Sequence, residues 1–427
     1  MAALAESTLQ GSSLPNPLAW LMPEYASPSR RTKLKLCART WNVGDTPPPE
    51  AEGVTAWLRW SGAANGEEGG SGIRGGDGTA ASGDVYAIGL QEVVNISSLS
   101  AYTNNALYMA LGETTSNGLS DGVVDQVLLW QHALADALPG CSLVARKVLV
   151  GMTLFVFVRL EHLPFCAVRV SAFGTGPLGA GNKGAVAASI HLYGSTLCLV
   201  SPHLASGSNA AMTRNAEVAQ LLSLLRFPAE YEASPAPPAT IGGHEFVVWL
   251  GDMNYRIRMT DEGVRRAMEA YPPPVAELAA ADELLLERLA GRVFVGFKEG
   301  PLTFHPTYKY DRGTDMYDTS RKKRAPAWCD RVLWRESEDV RQLCYGRVER
   351  LMNSDHRPVA ADFELSIASS SVASRPQPPT PAAAAADGIR TVSVWGACLS
   401  CVAGCLQVPA GHSPSPAYVA YARSSTG

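Results

Sequence analysis

The chain has 427 residues, a net charge of −4 and 18% charged residues, which is enough length for one large core or two domains. Mild acidity excludes a general nucleic-acid binder, whose footprint is a basic domain, so any polyanion site must be local. Nine cysteines are scattered without a paired framework, several inside apolar runs (Cys37, Cys166, Cys198), as expected of reduced thiols in an intracellular, cytoplasmic protein.

Residues 1–32 show no periodicity and read as a loosely ordered leader, with no basic start and continuous apolar core of a secretory signal. Residues 34–40 alternate apolar and polar, the pattern of a strand that delivers Asn42 to a sheet edge. The Gly-rich stretch 61–83 cannot bury enough apolar area to offset its chain entropy and is expected as a surface insertion. The continuous apolar run 84–90 predicts a strand covered on both faces, followed by Gln91 and Glu92. Residues 97–120 are polar and uninformative. A helix is expected over 123–138, stopped by Pro139 and Gly140.

Further strands are expected over 152–159, 185–192 and 196–201, the last delivering His203. A glycine-rich loop over 174–184 carries Asn182 and Lys183. Residues 214–226 have helical spacing, ended by Pro228, and 228–239 is a Pro-rich connector. The buried strand 246–250 opens directly into Gly251 and Asp252. In extended geometry Asp252 and Asn254 project to one side, although Gly-Asp-x-Asn is also a good tight turn. Two helices are expected over 261–270 and 275–290, the second closed by Gly291.

Residues 302–334, LTFHPTYKYDRGTDMYDTSRKKRAPAWCDRVLW, set two apolar, β-like flanks around a middle crowded with cations, carboxylates and aromatics. A basic run alone is usually a solvated turn. Framed by an aromatic-Lys pair and an Asp-Arg pair, it reads as a clamp for several phosphates, since point-charge Lys and forked Arg suit phosphate oxygens differently. A last strand is expected over 357–365, and 367–427 is a Pro/Ala-rich linker with a cysteine-containing tail. Within that tail, 391–408 carries no charge. It reads as disordered, with acylation at Cys398, Cys401 and Cys405 or a tail anchor as alternatives.

PTYKYD, YDTS and RAPAWCDRVLW resemble the signature of inositol polyphosphate 5-phosphatases, relatives of the DNase I-like metal-dependent phosphoesterases. WNVG (41–44), GLQE (89–92), GNKG (181–184), His203-Leu204, WLGDMNYRI (249–257) and SDHRP (354–358) follow in the family's order, and together they cover about 34–365. The resemblance implies one catalytic domain over 33–366, an α/β fold in which two packed mixed β-sheets are flanked by helices in a four-layer sandwich. Its reaction is hydrolysis of the 5-phosphate of a phosphoinositide or soluble inositol polyphosphate that also carries a 4-phosphate. Substrates of that kind imply peripheral contact with membranes and no role for nucleic acid.

Residue by residue, the resemblance makes Glu92 the first metal ligand, with Asn42 and Asp355 sharing the ion or its waters. Oxygen donors rather than a Cys/His cluster imply Mg2+. Asp252 orients or deprotonates the attacking water, and Asn254 donates to the phosphate. His356, paired with Asp330, stabilises the phosphoryl group or the departing alkoxide, with His203 as a second cation. The family writes serine where this chain has Pro202, so His203 has an altered backbone context. Tyr308, Lys309, Lys322 and Arg324 fall on the contacts to a neighbouring phosphate, joined by Lys183. Arg321 and Lys323 are expected to be solvated, because alternate residues of an extended run point away. A nuclease or sphingomyelinase-like phosphodiesterase of the same fold, and an inactive phosphoinositide-binding module, are the rival readings.

Overall fold

The computed structural model describes residues 31–62, 83–94, 121–176, 181–228 and 238–369. Residues 1–30 of the leader, nearly all of the Gly-rich insertion, the 97–120 stretch and 370–427 of the tail lie outside the described residues, while Arg31 and Thr32 belong to the first strand and Ile367 and Ala368 to the last. In chain order the first half contains β1 (Arg31–Asn42), α1 (Ala51–Leu58), β2 (Val85–Gln91), α2 (Asp121–Ala137), β3 (Cys141–Leu149), β4 (Met152–Arg159), β5 (Cys166–Gly174), β6 (Gly184–Leu192) and β7 (Ser195–His203). Then come α3 (Ala211–Leu224), β8 (Phe246–Asp252), α4 (Asp261–Met268), α5 (Val275–Ala280), α6 (Glu283–Leu289), β9 (Phe297–Glu299), β10 (Asp330–Arg335), β11 (Val340–Arg347) and β12 (Val359–Ala368).

Two six-stranded sheets result, ordered β11-β12-β1-β2-β4-β3 and β5-β6-β7-β8-β10-β9. Strand alternation builds four layers from them. Leu34, Leu36 and Ala38 face inward with Val156 and Val158, against Val186, Ala188, Leu199, Val248 and Val332 of the other sheet. Cys37 and Trp41 face outward, where Trp57 of α1 and Trp130 of α2 cover them. On the opposite outer face, Val218 and Leu221 of α3 and Leu284 of α6 cover Trp249. The expected four-layer sandwich of mixed sheets is the architecture found.

Each sheet holds one parallel pair at its centre, β1 with β2 and β7 with β8. Parallel neighbours end at the same edge. Asn42 is therefore level with Gln91, and His203 with Asp252. Antiparallel β10 begins where β8 ends, so Asp330 pairs with Asp252.

Three expectations change. The helix expected over 275–290 is split into α5 and α6. Asp282 caps α6, accepting from Leu285 N at 2.9 Å, and its carboxylate is held by Arg331 Nη1 at 2.9 and 3.0 Å, so chain continuity yields to a buried ion pair. The upstream flank of the 302–334 stretch forms no strand, only isolated bridges of Tyr308 to Ala327 and to His356 and of Tyr310 to Tyr317. The basic run is not extended. It is a turn in which Lys323 N donates to Ser320 O at 3.0 Å, pinned by Asp318, whose two oxygens accept from Ser320 N at 3.0 Å and Arg324 N at 2.8 Å.

Candidate active site

A cleft enclosing about 210 Å³ opens at the edge where the two parallel pairs end. Acids Glu92, Asp252 and Asp355, imidazoles His203 and His356, and cations Lys183, Arg256, Lys309 and Arg324 line it, with Ser206, Asn254 and Tyr308. Asn42 and Asp330 stand directly behind as partners of Asp252 and His356. Lys322 is exposed on the turn, outside the lining. Its place among the phosphate contacts came from the resemblance, and the turn over 320–324 sets it apart from Arg324, which lines the cleft.

Asp252, 1% exposed, is held from two sides. Its Oδ1 accepts from Asn254 N at 3.0 Å, its Oδ2 accepts from Asn42 Nδ2 at 3.0 Å, and His203 Nε2 lies 3.4 Å from Oδ2. Burial, with the Asp330 carboxylate across the strand pair, pushes its carboxyl well above the usual range. That is the environment of a proton acceptor working near neutrality.

His356 is carried by the turn before β12. Trp41 Nε1 donates to its carbonyl at 3.0 Å, and its own N donates to Ser354 Oγ at 3.2 Å. Its Nδ1 bonds Asp330 Oδ2 at 2.9 Å, and Thr307 Oγ1 donates to the same oxygen at 2.6 Å. Burial would lower the pKa of His356, but the Asp330, Asp252 and Asp355 carboxylates outweigh it and raise the value. These carboxylates favour the imidazolium form, with Nε2 as its uncommitted donor.

His203 has the opposite character. Burial, Lys183 and His356 hold its pKa well below the ordinary value. A neutral ring can accept from Lys183 Nζ through Nε2, and the two atoms are 2.6 Å apart. Burial lowers the Lys183 ammonium too, against Asp252, Glu92 and Glu217.

Two residues at the cleft have left-handed backbones, Glu92 (φ 51°) and Asn254 (φ 56°). Asn tolerates this conformation; for Glu it costs on the order of 1 kcal/mol. Asn254 Oδ1 accepts from Arg256 Nη2 at 2.7 Å, and its Nδ2 donates to Leu204 O at 3.0 Å. The amide orientation is thereby fixed, leaving one N–H of Nδ2 free to turn to a ligand. The Arg256 guanidinium also stacks on Tyr308, 4.5 Å from the ring centroid. Sequence reasoning passed over Arg256 and Thr307, although both lie inside the quoted motifs.

The donor set suits a hard cation. Glu92 approaches His203 Nε2 at 3.7 Å and is 42% exposed at its side chain, so its oxygens face the cleft. Asp355 stands nearby, bonded to Lys309 and flanked by the cradle of Gly44, where an added Cβ would fall 3.0 Å from Asp355 Oδ1. Asp252, Asp330 and His356 bring ligand atoms within 4.8 Å of one another. Asp330 Oδ1 is buried without a hydrogen-bond partner among the described residues, a cost that a cation nearby would offset. Of the expected ligands, Asn42 is committed to Asp252 and Gly44 N, which leaves Glu92 and Asp355 as the more available oxygens.

A two-sheet sandwich with acids and imidazoles gathered at its strand ends defines a phosphoesterase-type domain. A family model for the Endonuclease/Exonuclease/phosphatase family 2 matches residues 39–362. Type I inositol polyphosphate 5-phosphatase 8 of Arabidopsis thaliana is 33% identical over 78% of this chain and 71% of its own length. The type II inositol 1,4,5-trisphosphate 5-phosphatase of Mus musculus is 41% identical over 51% of this chain. Among solved structures, the inositol polyphosphate 5-phosphatase domain of SPsynaptojanin, in complex with inositol (1,4)-bisphosphate and calcium, is 30% identical. It covers 79% of this chain and 86% of its own, with a TM-score of 0.62. The chain belongs to the inositol polyphosphate 5-phosphatase family. It spans 22%, 23% and 44% of the first three curated relatives. Cimex nitrophorin, 18% identical with a TM-score of 0.52, shares the fold alone.

Proposed function

We propose that the domain over 33–366 hydrolyses the 5-phosphate of an inositol phosphate that also carries a 4-phosphate, with Mg2+ as cofactor. The observation that carries this reading is that one cleft holds two sets of groups. Asp252 and the Asp330–His356 pair form one, and Lys309, Arg324 and Arg256, with Tyr308, form a cationic set beside it. A monoesterase acting on a ring with neighbouring phosphates needs both sets, whereas a diesterase needs only the first.

In this reading Asp252 orients a water and takes its proton as the oxygen attacks phosphorus, and the bond from phosphorus to the ring oxygen breaks in line. His356 donates from Nε2 to the phosphoryl group or the departing oxygen. Asn254, with its amide fixed by Arg256, donates from Nδ2 to a phosphoryl oxygen, and Lys183 and His203 face the same group. Glu92 and Asp355, backed by Asn42, would hold Mg2+, which when bound supplies charge neutralisation of the phosphoryl oxygens. Lys309, Arg324 and Tyr308 take the 4-phosphate.

Phosphoinositides in a membrane surface and soluble inositol polyphosphates both meet these requirements, which suits a cytoplasmic enzyme with peripheral membrane contact. No helix among the described residues is long and apolar enough to cross a membrane. Phosphate release across a panel of inositol phosphates and phosphoinositides tests the reading. Loss of one phosphate from 4,5-bisphosphorylated substrates, abolished by EDTA and restored by Mg2+, is expected. Plasmid nicking without phosphate release, or vesicle binding without turnover, would overturn it.

A further inference from the structure

Lys183 and His203 reach the cleft from neighbouring strands, since Gly184 pairs with His203 at the end of the β6–β7 ladder. Beyond that pair the β6–β7 ladder stops: Thr175 and Lys183 continue the β5–β6 pairing, and Leu204 is bonded to Asp252 O and Asn254 Nδ2. What joins the two segments to each other is one carboxylate on α3. Glu217 Oε2 accepts from Ala205 N at 2.7 Å, and Oε1 accepts from Thr175 Oγ1 at 3.1 Å. Thr175 N in turn donates to the carbonyl of Lys183 at 2.8 Å. Arg214, one turn earlier on α3, completes the grip by donating to Ala205 O at 3.0 Å and Gly207 O at 2.9 Å.

Glu217 is 6% exposed and does not line the cleft. A carboxylate buried to that degree is tolerated only while its hydrogen-bond donors are in place. Its two donors come from two different loops, so displacing either loop strands the charge and loosens the other. The energetic consequence is that the loops move together or not at all.

We propose that Glu217 is a positioning residue that ties the Lys183 loop to the segment following His203, so that ammonium and imidazole meet one phosphoryl group as a unit. The inference rests on the inositol-phosphate reading of the cleft only for its kinetic consequence.

Two readouts test it, one kinetic and one structural. Phosphate release from inositol 1,4,5-trisphosphate is measured for wild type, Glu217→Ala, Lys183→Ala and the double variant, with Glu217→Gln as the shape-preserving control. Glu217→Ala is expected to raise KM about tenfold, with a smaller change in kcat. In the Lys183→Ala background the same substitution should change KM by no more than about twofold. Glu217→Gln, able to accept from Ala205 N and to bond the Thr175 hydroxyl, should stay within about threefold of wild type. Hydrogen exchange should quicken in Glu217→Ala at 175–176, 181–183 and 204–207, while β6 and β7 keep wild-type rates. Equal KM effects in both backgrounds, a Gln variant as impaired as the Ala variant, or exchange that is unchanged or accelerated throughout the domain would overturn the proposal. If wild type releases no phosphate, the functional reading falls, and the exchange experiment still decides the role of Glu217.

Discussion

Asp330 and Arg331 are adjacent on β10 and belong to opposite kinds of buried charge. Alternation along the strand sends them to different sides. Arg331 is saturated: Nε and Nη2 donate to the two oxygens of Glu299 at 2.6 and 2.8 Å, and Nη1 donates to Asp282. Asp330 keeps one oxygen unpartnered among the described residues and faces a second buried acid, Asp252, across the strand pair. One cation and two acids that satisfy each other make scaffold. Acids gathered beyond what their partners neutralise retain capacity for a ligand, and the raised carboxyl of Asp252 is the local sign of it.

The sharpest way to break this contrast is Asp252→Asn. Removing the proton acceptor should lower phosphate release by about 10^3-fold or more, while relief of the buried like-charge pair leaves the thermal midpoint at or above that of wild type. Substantial residual turnover would remove Asp252 from its assigned role. Arg331→Ala should do the reverse. It leaves the Asp282 and Glu299 carboxylates buried without their cation and should cost about 3–5 kcal/mol in urea unfolding, with specific activity of the folded fraction retained. An Arg331→Ala protein that unfolds at the wild-type urea concentration would erase the distinction.

A smaller effect is expected at the cationic set. Lys309→Ala should raise KM about tenfold for 4,5-bisphosphorylated substrates, and less for a substrate lacking the 4-phosphate. Equal losses on both substrates would detach Lys309 from phosphate discrimination. The smallest effect concerns a saturated acid away from the cleft. Glu287 accepts from Arg292 at 2.5 and 2.8 Å and from Asn215 at 2.7 Å. The Arg292 bonds, against the opposing effect of burial, bring its carboxyl from 4.5 down to about 2. A depressed carboxyl contributes stability that is present above its ordinary value and lost as pH falls from about 4.5 through 2. Glu287→Gln should flatten the acid limb of a stability-against-pH curve in that window, and an unchanged limb would show that the bond is not maintained in solution.

The interior strands were legible because β2, β6 and β8 are covered on both faces and read as continuous apolar runs. β3, β5 and β11 were not, because they are sheet-edge strands that are mostly half-buried, as β3 is along nearly its whole length, so that burial imposes no clear period on the sequence. The break at Asp282 was invisible for another reason: its cause is Arg331, forty-nine positions away. In the cleft, the acids and imidazoles were legible as motifs. Lys322 stands outside the cleft lining because turn geometry depends on the buried carboxylate of Asp318, and Arg256 was passed over because its partners, Asn254 and the Tyr308 ring, meet only in three dimensions.

The placement of the two parallel pairs has an architectural corollary. The Gly-rich sequence between Gly62 and Gly83 joins β2 at its N-terminal end, the full length of the strand away from Glu92. Growth or loss of chain at that pole does not disturb the opposite one, so lineages can lengthen, trim or decorate it at little catalytic risk. A reporter fused there should report on the enzyme without silencing it.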